Sequence, residues 1–215
     1  MNVIDLVLLI GVAACMGWGA KKGFVRMFMI TVGLVAAIIM AVHYNDSFTE
    51  QLAGFMRTSP IWTAMAAFVL SSMLLFALFR MGAKLFFRVA NLNQLGKSDQ
   101  LGGALMGLVF GWVLMGYMVF LTMFLPIPYA LEPKLENSMF ALPMGSSVPF
   151  VYESTQRLHP SEGNFMVKME NSMESALAAA PGKDTPRGKR RNSAIDKARI
   201  EDFLNRIERY FVAST

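Results

Sequence analysis

Cysteine is nearly absent from this chain: Cys15 is the only one in 215 residues. A lone thiol excludes an intramolecular disulfide and any metal site built on a cysteine cluster. Histidine is almost as scarce, and His43 and His159 stand far apart in sequence. No Gly-x-Ser-x-Gly elbow occurs, and no glycine-rich phosphate loop sits between a strand and a helix. Charge is thin as well: Asp, Glu, Lys and Arg make up 16% of the residues. Most of them fall outside four long apolar stretches. No ionisable side chain lies in the middle of a stretch, where an ion-coupled transporter usually keeps one. These absences leave no candidate catalytic, cofactor-binding or metal-ligating residue, and they argue for a non-enzymatic protein.

What is present is apolar length. Residues 3–20, 24–42, 61–79 and 101–125 each approach the ~20 residues that a helix needs to cross ~30 Å of hydrocarbon. The third and fourth stretches carry no charge, the first holds only Asp5, and the second only Arg26. One such stretch is compatible with a buried soluble helix. Four in succession predict an all-α integral membrane protein with four transmembrane helices and a polar, partly helical C-terminal tail. The organisation that follows is a transmembrane domain over 1–128, a proline-containing extracytoplasmic segment over 129–160, and a tail over 161–215. The 18 methionines and 17 phenylalanines suit lipid-facing and gap-filling positions.

Lys and Arg in short loops set orientation. Lys21, Lys22, Arg26, Arg80, Lys84, Arg88 and Lys97 fall in the first and third loops, against Arg57 in the second. This places the first and third loops in the cytoplasm and both termini on the periplasmic side of a bacterial inner membrane. Val12, Ala13, Ala14 and Cys15 resemble a lipoprotein cleavage box. No Lys or Arg precedes that apolar run, however, so an uncleaved first helix is expected. Trp18, Tyr44, Trp62 and Tyr129 fall near the stretch ends, where amphipathic rings favour the interface. Pro126 and Pro128 should stop the fourth helix.

Small residues recur four apart. Gly103, Gly107 and Gly111 do so on the fourth stretch, and Gly19 and Gly23 at the end of the first. In lipid, close backbone approach through small residues drives helix association, so these glycines are expected to be packing faces, within the chain or between copies. A leucine at Gly107 should do more damage than one at Gly116. Asp99 is expected to be the N-cap of the fourth helix, and Asp5 heads the first. Arg80, Lys84 and Arg88 share a helical face and should contact the anionic lipid surface. They belong either to an amphipathic surface segment or to an extension of the third helix.

In the tail, residues 164–180 suit a helix and 181–192 a basic linker. Ile200, Phe203, Leu204, Ile207 and Phe211 form one apolar stripe on a last helix. That stripe should dock on another surface.

Three segments resemble the colicin V production protein family. One is the acidic residue at Asp5 followed by Lys21, Lys22, Gly23, Phe24 and Val25. The second runs from Ser98, Asp99 and Gln100 through Leu101, Gly102 and Gly103 to Gly107. The third extends from Asn137 and Ser138 to Pro143. The resemblance covers about residues 1–150, and Gln100 departs from it where an arginine is usual. It implies a four-helix inner-membrane protein. Such a protein is an accessory or scaffold in peptide-toxin production or export, or in envelope homeostasis. Some relatives carry a protease domain after the fourth helix, and the stretch after Pro126 is short for one. The expected partners are membrane lipids, a second copy of the chain, or an envelope or secretion protein. Nucleic acid is not among them. An oligomeric channel or transporter built from the glycine-spaced helices is the alternative.

Overall fold

The computed structural model describes residues 2–55, 59–90, 96–122, 135, 137–155, 163–179 and 186–209. Among them the secondary structure is entirely helical. The helices are α1 (Val3–Lys22), α2 (Phe24–His43), α3 (Asn45–Ala53), α4 (Pro60–Ala90), α5 (Lys97–Thr122), α6 (Ala141–Gly145), α7 (Ser147–Ser154), α8 (Phe165–Ala179) and α9 (Pro186–Ile207). Four are long and apolar enough to cross a membrane: Val3–Lys22, Phe24–His43, Pro60–Arg88 and Lys97–Thr122. The protein is therefore an all-α membrane protein with four spanning helices. Pro126, Pro128, Tyr129 and Phe211 lie outside the described residues.

Several elements differ from the sequence expectation. The second loop contains α3. Its composition is polar, so no apolar run announces it. The third span continues unbroken to Ala90, which makes Arg80, Lys84 and Arg88 part of one long helix; all three are exposed. The proline-containing segment holds α6 and α7. Pro143 and Pro149 are the third residues of these helices. In the first turn the missing N–H has no intrahelical partner to lose. In the basic region, residues 186–192 are the start of α9 rather than linker.

The chain divides into two compact units. The first comprises Met1–Ile38 and Leu74–Val148, and the second Ile39–Met73 and Pro149–Thr215. In the first unit α1 lies along α5, and α6 packs on α5. Its core includes Leu8, Met27, Phe110, Val113, Tyr117 and Phe120. Trp18 packs against Phe110 with ring centroids 5.9 Å apart, and the Lys22 ammonium stands 5.7 Å from the indole. Arg26 lies over the Phe87 ring at 5.6 Å. These cations at the loop end of their helices keep their stems on apolar surface.

In the second unit α3 packs on α8, and α8 on α9. Phe165, Met169, Met173 and Ala176 of α8 are buried, as are Ile200, Phe203 and Ile207 of α9, while Leu204 is half-buried. Backbone hydrogen bonds run through the α2–α3 corner, from Tyr44 N–H to the Met40 carbonyl at 3.0 Å and from Phe48 N–H to the Tyr44 carbonyl at 3.1 Å.

Candidate functional site: a glycine seam held by two carboxylates

The α1–α5 contact is made backbone to backbone. A Cβ built on Gly107 would stand 2.5 Å from the Cys15 carbonyl oxygen and 2.9 Å from Met16 Cα. One on Gly111 would stand 3.1 Å from Val12 Cα, and one on Gly103 2.9 Å from the Gly23 carbonyl carbon. One on Gly19 would run into the Gly103 carbonyl. None of these neighbours is a flexible side-chain end, so only glycine fits without moving a helix. Close approach exposes each helix to the other's backbone, which is where helix association in lipid gains most. Gly116 is no less confined: an added Cβ would meet the Met144 carbonyl and the Ser147 hydroxyl. The expectation that Gly116 is freer than Gly107 is corrected by this second close approach, of α5 to α6.

At one end of the seam the chain turns from α1 into α2 within a single residue. Gly23 has φ 81° and ψ 163°, a backbone conformation that costs an L side chain energy and glycine none. Gly23 N–H closes α1 on the Gly19 carbonyl at 3.1 Å. A glycine in the capping position offers α2 no side-chain acceptor. Asp99 supplies one: its Oδ1 accepts the Phe24 N–H at 2.8 Å. Asp99 therefore does not stand where the sequence suggested. It is the third residue of α5 rather than the residue before it, and its carboxylate caps α2 from 75 residues away. A negative group at a helix N-terminus also meets the positive end of the helix dipole.

Asp5 begins the same seam at the opposite end of α1 and is only 4% exposed. Its Oδ1 accepts the Ser138 hydroxyl at 2.5 Å and the Phe140 N–H at 3.2 Å, and its Oδ2 accepts the Asn2 N–H at 3.3 Å. Ser138 in turn accepts the Ala141 N–H at 3.0 Å on its hydroxyl oxygen. Ser138 thus accepts the first N–H of α6 and donates its own hydroxyl hydrogen bond to Asp5. A buried carboxylate without donors is costly, and three donors offset that cost. Sequence reasoning singled out Asp5 but not Ser138 as its partner. The only local signal was that a serine hydroxyl can bond a nearby backbone N–H in a turn.

A third polar contact belongs to the second unit. Lys168, 6% exposed on α8, pairs with Asp46 Oδ2 at 3.2 Å and donates to the His43 carbonyl at 3.3 Å. The ammonium thereby meets the carbonyl end of α2, the negative end of that helix. Asn45 and Thr49 lie one turn apart on the buried side of α3. The side-chain polar atoms of both, and Asp46 Oδ1, have no hydrogen-bond partner among the described residues. Lys168 was not foreseen, although a lysine three residues after Phe165 and one before Met169 stands at an apolar-stripe position. Among the described residues, no group of three or more His, Cys, Asp or Glu could hold a metal ion.

A family model for the colicin V production protein matches residues 4–149, more than half of the chain. The chain belongs to the colicin V production protein family. In this colicin V production family member the matched segment takes in both carboxylate clamps and all the seam glycines. Lys168 and the apolar stripe of α9 lie beyond it. Comparison with curated proteins and with solved structures gave no match.

Proposed function

We propose that this colicin V production family member is a non-enzymatic accessory or scaffold of the bacterial inner membrane. It serves peptide-toxin production or export, or envelope homeostasis, and both of its termini face the periplasm. The observation that carries this reading is the closed glycine seam. Gly19, Gly103, Gly107 and Gly111 meet backbone within the chain, so these glycines are committed to holding α1 against α5. A channel lined by them would need that contact opened. The two acidic residues of the seam are likewise occupied with helix ends, at Phe24 and at Ser138 and Phe140. Membrane lipids are the immediate partners, with Arg80, Lys84 and Arg88 contacting the cytoplasmic leaflet. A second copy of the chain or an envelope or secretion protein would complete the assembly.

Two measurements test this. In spheroplasts of a Cys15→Ala strain, Ser193→Cys should react with a membrane-impermeant thiol reagent and Ser98→Cys should not. The reverse pattern overturns the orientation. Purified protein in liposomes should show no ion flux above empty liposomes, and should be recovered from cells with a defined envelope partner. Flux that follows the intact glycine seam, lost in a Gly107→Leu variant, would overturn the scaffold reading.

A further inference from the structure

Helix α3 is built inside out. Its buried line runs Asn45, Thr49 and Ala53, so polar side chains fill two of the three positions that face the protein. Its outward side carries aromatic rings. Tyr44, the residue before α3, and Phe48 stand one turn apart, about 100° round the helix from Asn45 and Thr49, and both are exposed. Phe55 comes seven residues after Phe48, past a Gly54 that keeps α-helical backbone (φ −64°, ψ −26°), and so falls close to the same line; it is 88% exposed. A helix between protein and water has the reverse arrangement, apolar residues in and polar residues out.

We propose that Tyr44, Phe48 and Phe55 lie in the headgroup–acyl boundary of the bilayer, which makes α3 an interfacial helix and the base on which the α8–α9 tail rests. Chain connectivity selects this occupant. A spanning helix ends at His43 and another begins at Pro60, and backbone hydrogen bonds run on from α2 through the corner into α3. A helix about 14 Å long between two spans stays at the membrane surface. Its other side is taken: α8 packs there, with Lys168 paired to Asp46 at 3.2 Å. Aromatic rings are the side chains that favour this boundary, and an interfacial helix sinks its apolar face about 5–10 Å into it. The charged residues of α3 are Asp46 and Glu50, both acidic. Attraction to anionic headgroups therefore plays no part, and the partner is the interface of any phospholipid bilayer. The assignment holds on either side of the membrane, so its test is independent of the orientation and scaffold reading above.

The full chain with Cys15→Ala carries one nitroxide at a time, on Phe48→Cys, Phe55→Cys or Glu50→Cys. It is placed in phosphatidylcholine nanodiscs, which leave both bilayer surfaces open to solutes. Collisions with oxygen, which concentrates in lipid, are compared with collisions with a neutral water-soluble nickel chelate. Glu50 is exposed on the side of α3 away from Phe48. The oxygen-to-nickel ratio should therefore be several-fold higher at positions 48 and 55 than at 50. The same pattern should hold in discs with phosphatidylglycerol and at ~1 M salt, where the screening length is about 3 Å. Phe48→Ser with Phe55→Ser should speed amide exchange over residues 45–53 by about tenfold or more, from the apolar area that leaves the interface. Should the label at 48 raise exchange over residues 165–179, so that α8 has come away, the label at 55 decides alone. Nickel contact at 48 and 55 equal to that at 50 puts the rings in water and overturns the proposal. So does low collision with both reagents at 48 and 55, which puts protein over them, a second copy or another segment of the chain. Unchanged exchange in the double serine variant overturns it as well.

Discussion

Replacing Gly107 by alanine tests the glycine seam with the smallest possible change. The added Cβ would stand 2.5 Å from the Cys15 carbonyl oxygen and 2.9 Å from Met16 Cα. Ordinary contact lies near 3.5–4.0 Å, so α1 and α5 must part by about 1 Å at that level. A gap of 0.5–1 Å forfeits about a quarter to a half of each contact's attraction. Both neighbours are backbone, so no side chain can swing away, and the separation extends to Gly103 and Gly111. Overpacking of this kind costs about 1–3 kcal/mol. For a chain of this size that is a fall of about 2–12 °C in the detergent melting temperature. Gly17→Ala on α1, the facing helix, is the control, because an added Cβ there meets nothing within 4 Å. It should be neutral, or stabilising by up to about 1 kcal/mol through helix propensity. If the two alanine variants melt together, the close approach does not hold the helices and the reasoning fails.

Four further outcomes follow from the polar contacts and the tail. Asp5→Ala should lower the melting temperature more than Asp5→Asn, since it strands the Ser138, Phe140 and Asn2 donors; a lost charged hydrogen bond costs about 1.5–3 kcal/mol, and equal melting of both variants would refute the clamp. Asp99→Ala should cost about 1 kcal/mol through the lost cap, with Asp99→Asn close to wild type, and faster amide exchange at Phe24 is the local readout. Lys168→Met should destabilise, by less than the ~3–5 kcal/mol of a fully buried pair because the Asp46 side chain left without its cation is 29% exposed, whereas Lys168→Met with Asp46→Leu should recover most of the loss; additive melting shifts would show that the pair is not coupled. Finally, Phe203→Asp with Ile207→Asp should release α9 from α8, seen as faster exchange across residues 200–207; wild-type exchange already at the coil rate would remove the docked helix.

The spanning helices were legible because a bilayer demands a long apolar run, and such runs survive any detail of packing. The seam glycines were legible for a related reason: spacing of four marks one helix face. Asp99 was placed on the right structural feature and given the wrong helix. A cap reads as local in sequence, and nothing in the sequence says that Gly23 leaves α2 without an acceptor for Asp99 to replace. The helix α3 was missed because its nine residues are mostly polar, and α6 and α7 because the proline-containing segment shows no long apolar run, although Pro143 and Pro149 each fall in a first turn. The basic start of α9 was taken as a linker for want of apolar periodicity. The Lys168–Asp46 pair joins residues 122 apart, a distance over which side-chain type carries no pairing information.

The contact between Asp5 and Ser138 spans 133 residues, and that has a bearing on how the protein is made. Synthesis runs from the N-terminus, at about 5–20 residues per second. Asp5 therefore enters the membrane region with the first helix and waits until the last spanning helix and Ser138 have been added before its two distant donors, Ser138 and Phe140, exist. During that interval the carboxylate at the head of α1 has only the Asn2 N–H and water to satisfy it, which favours the aqueous boundary over a deeper position. The same residue that finishes the folded seam thus fixes, earlier, how far the first helix can slide through the bilayer.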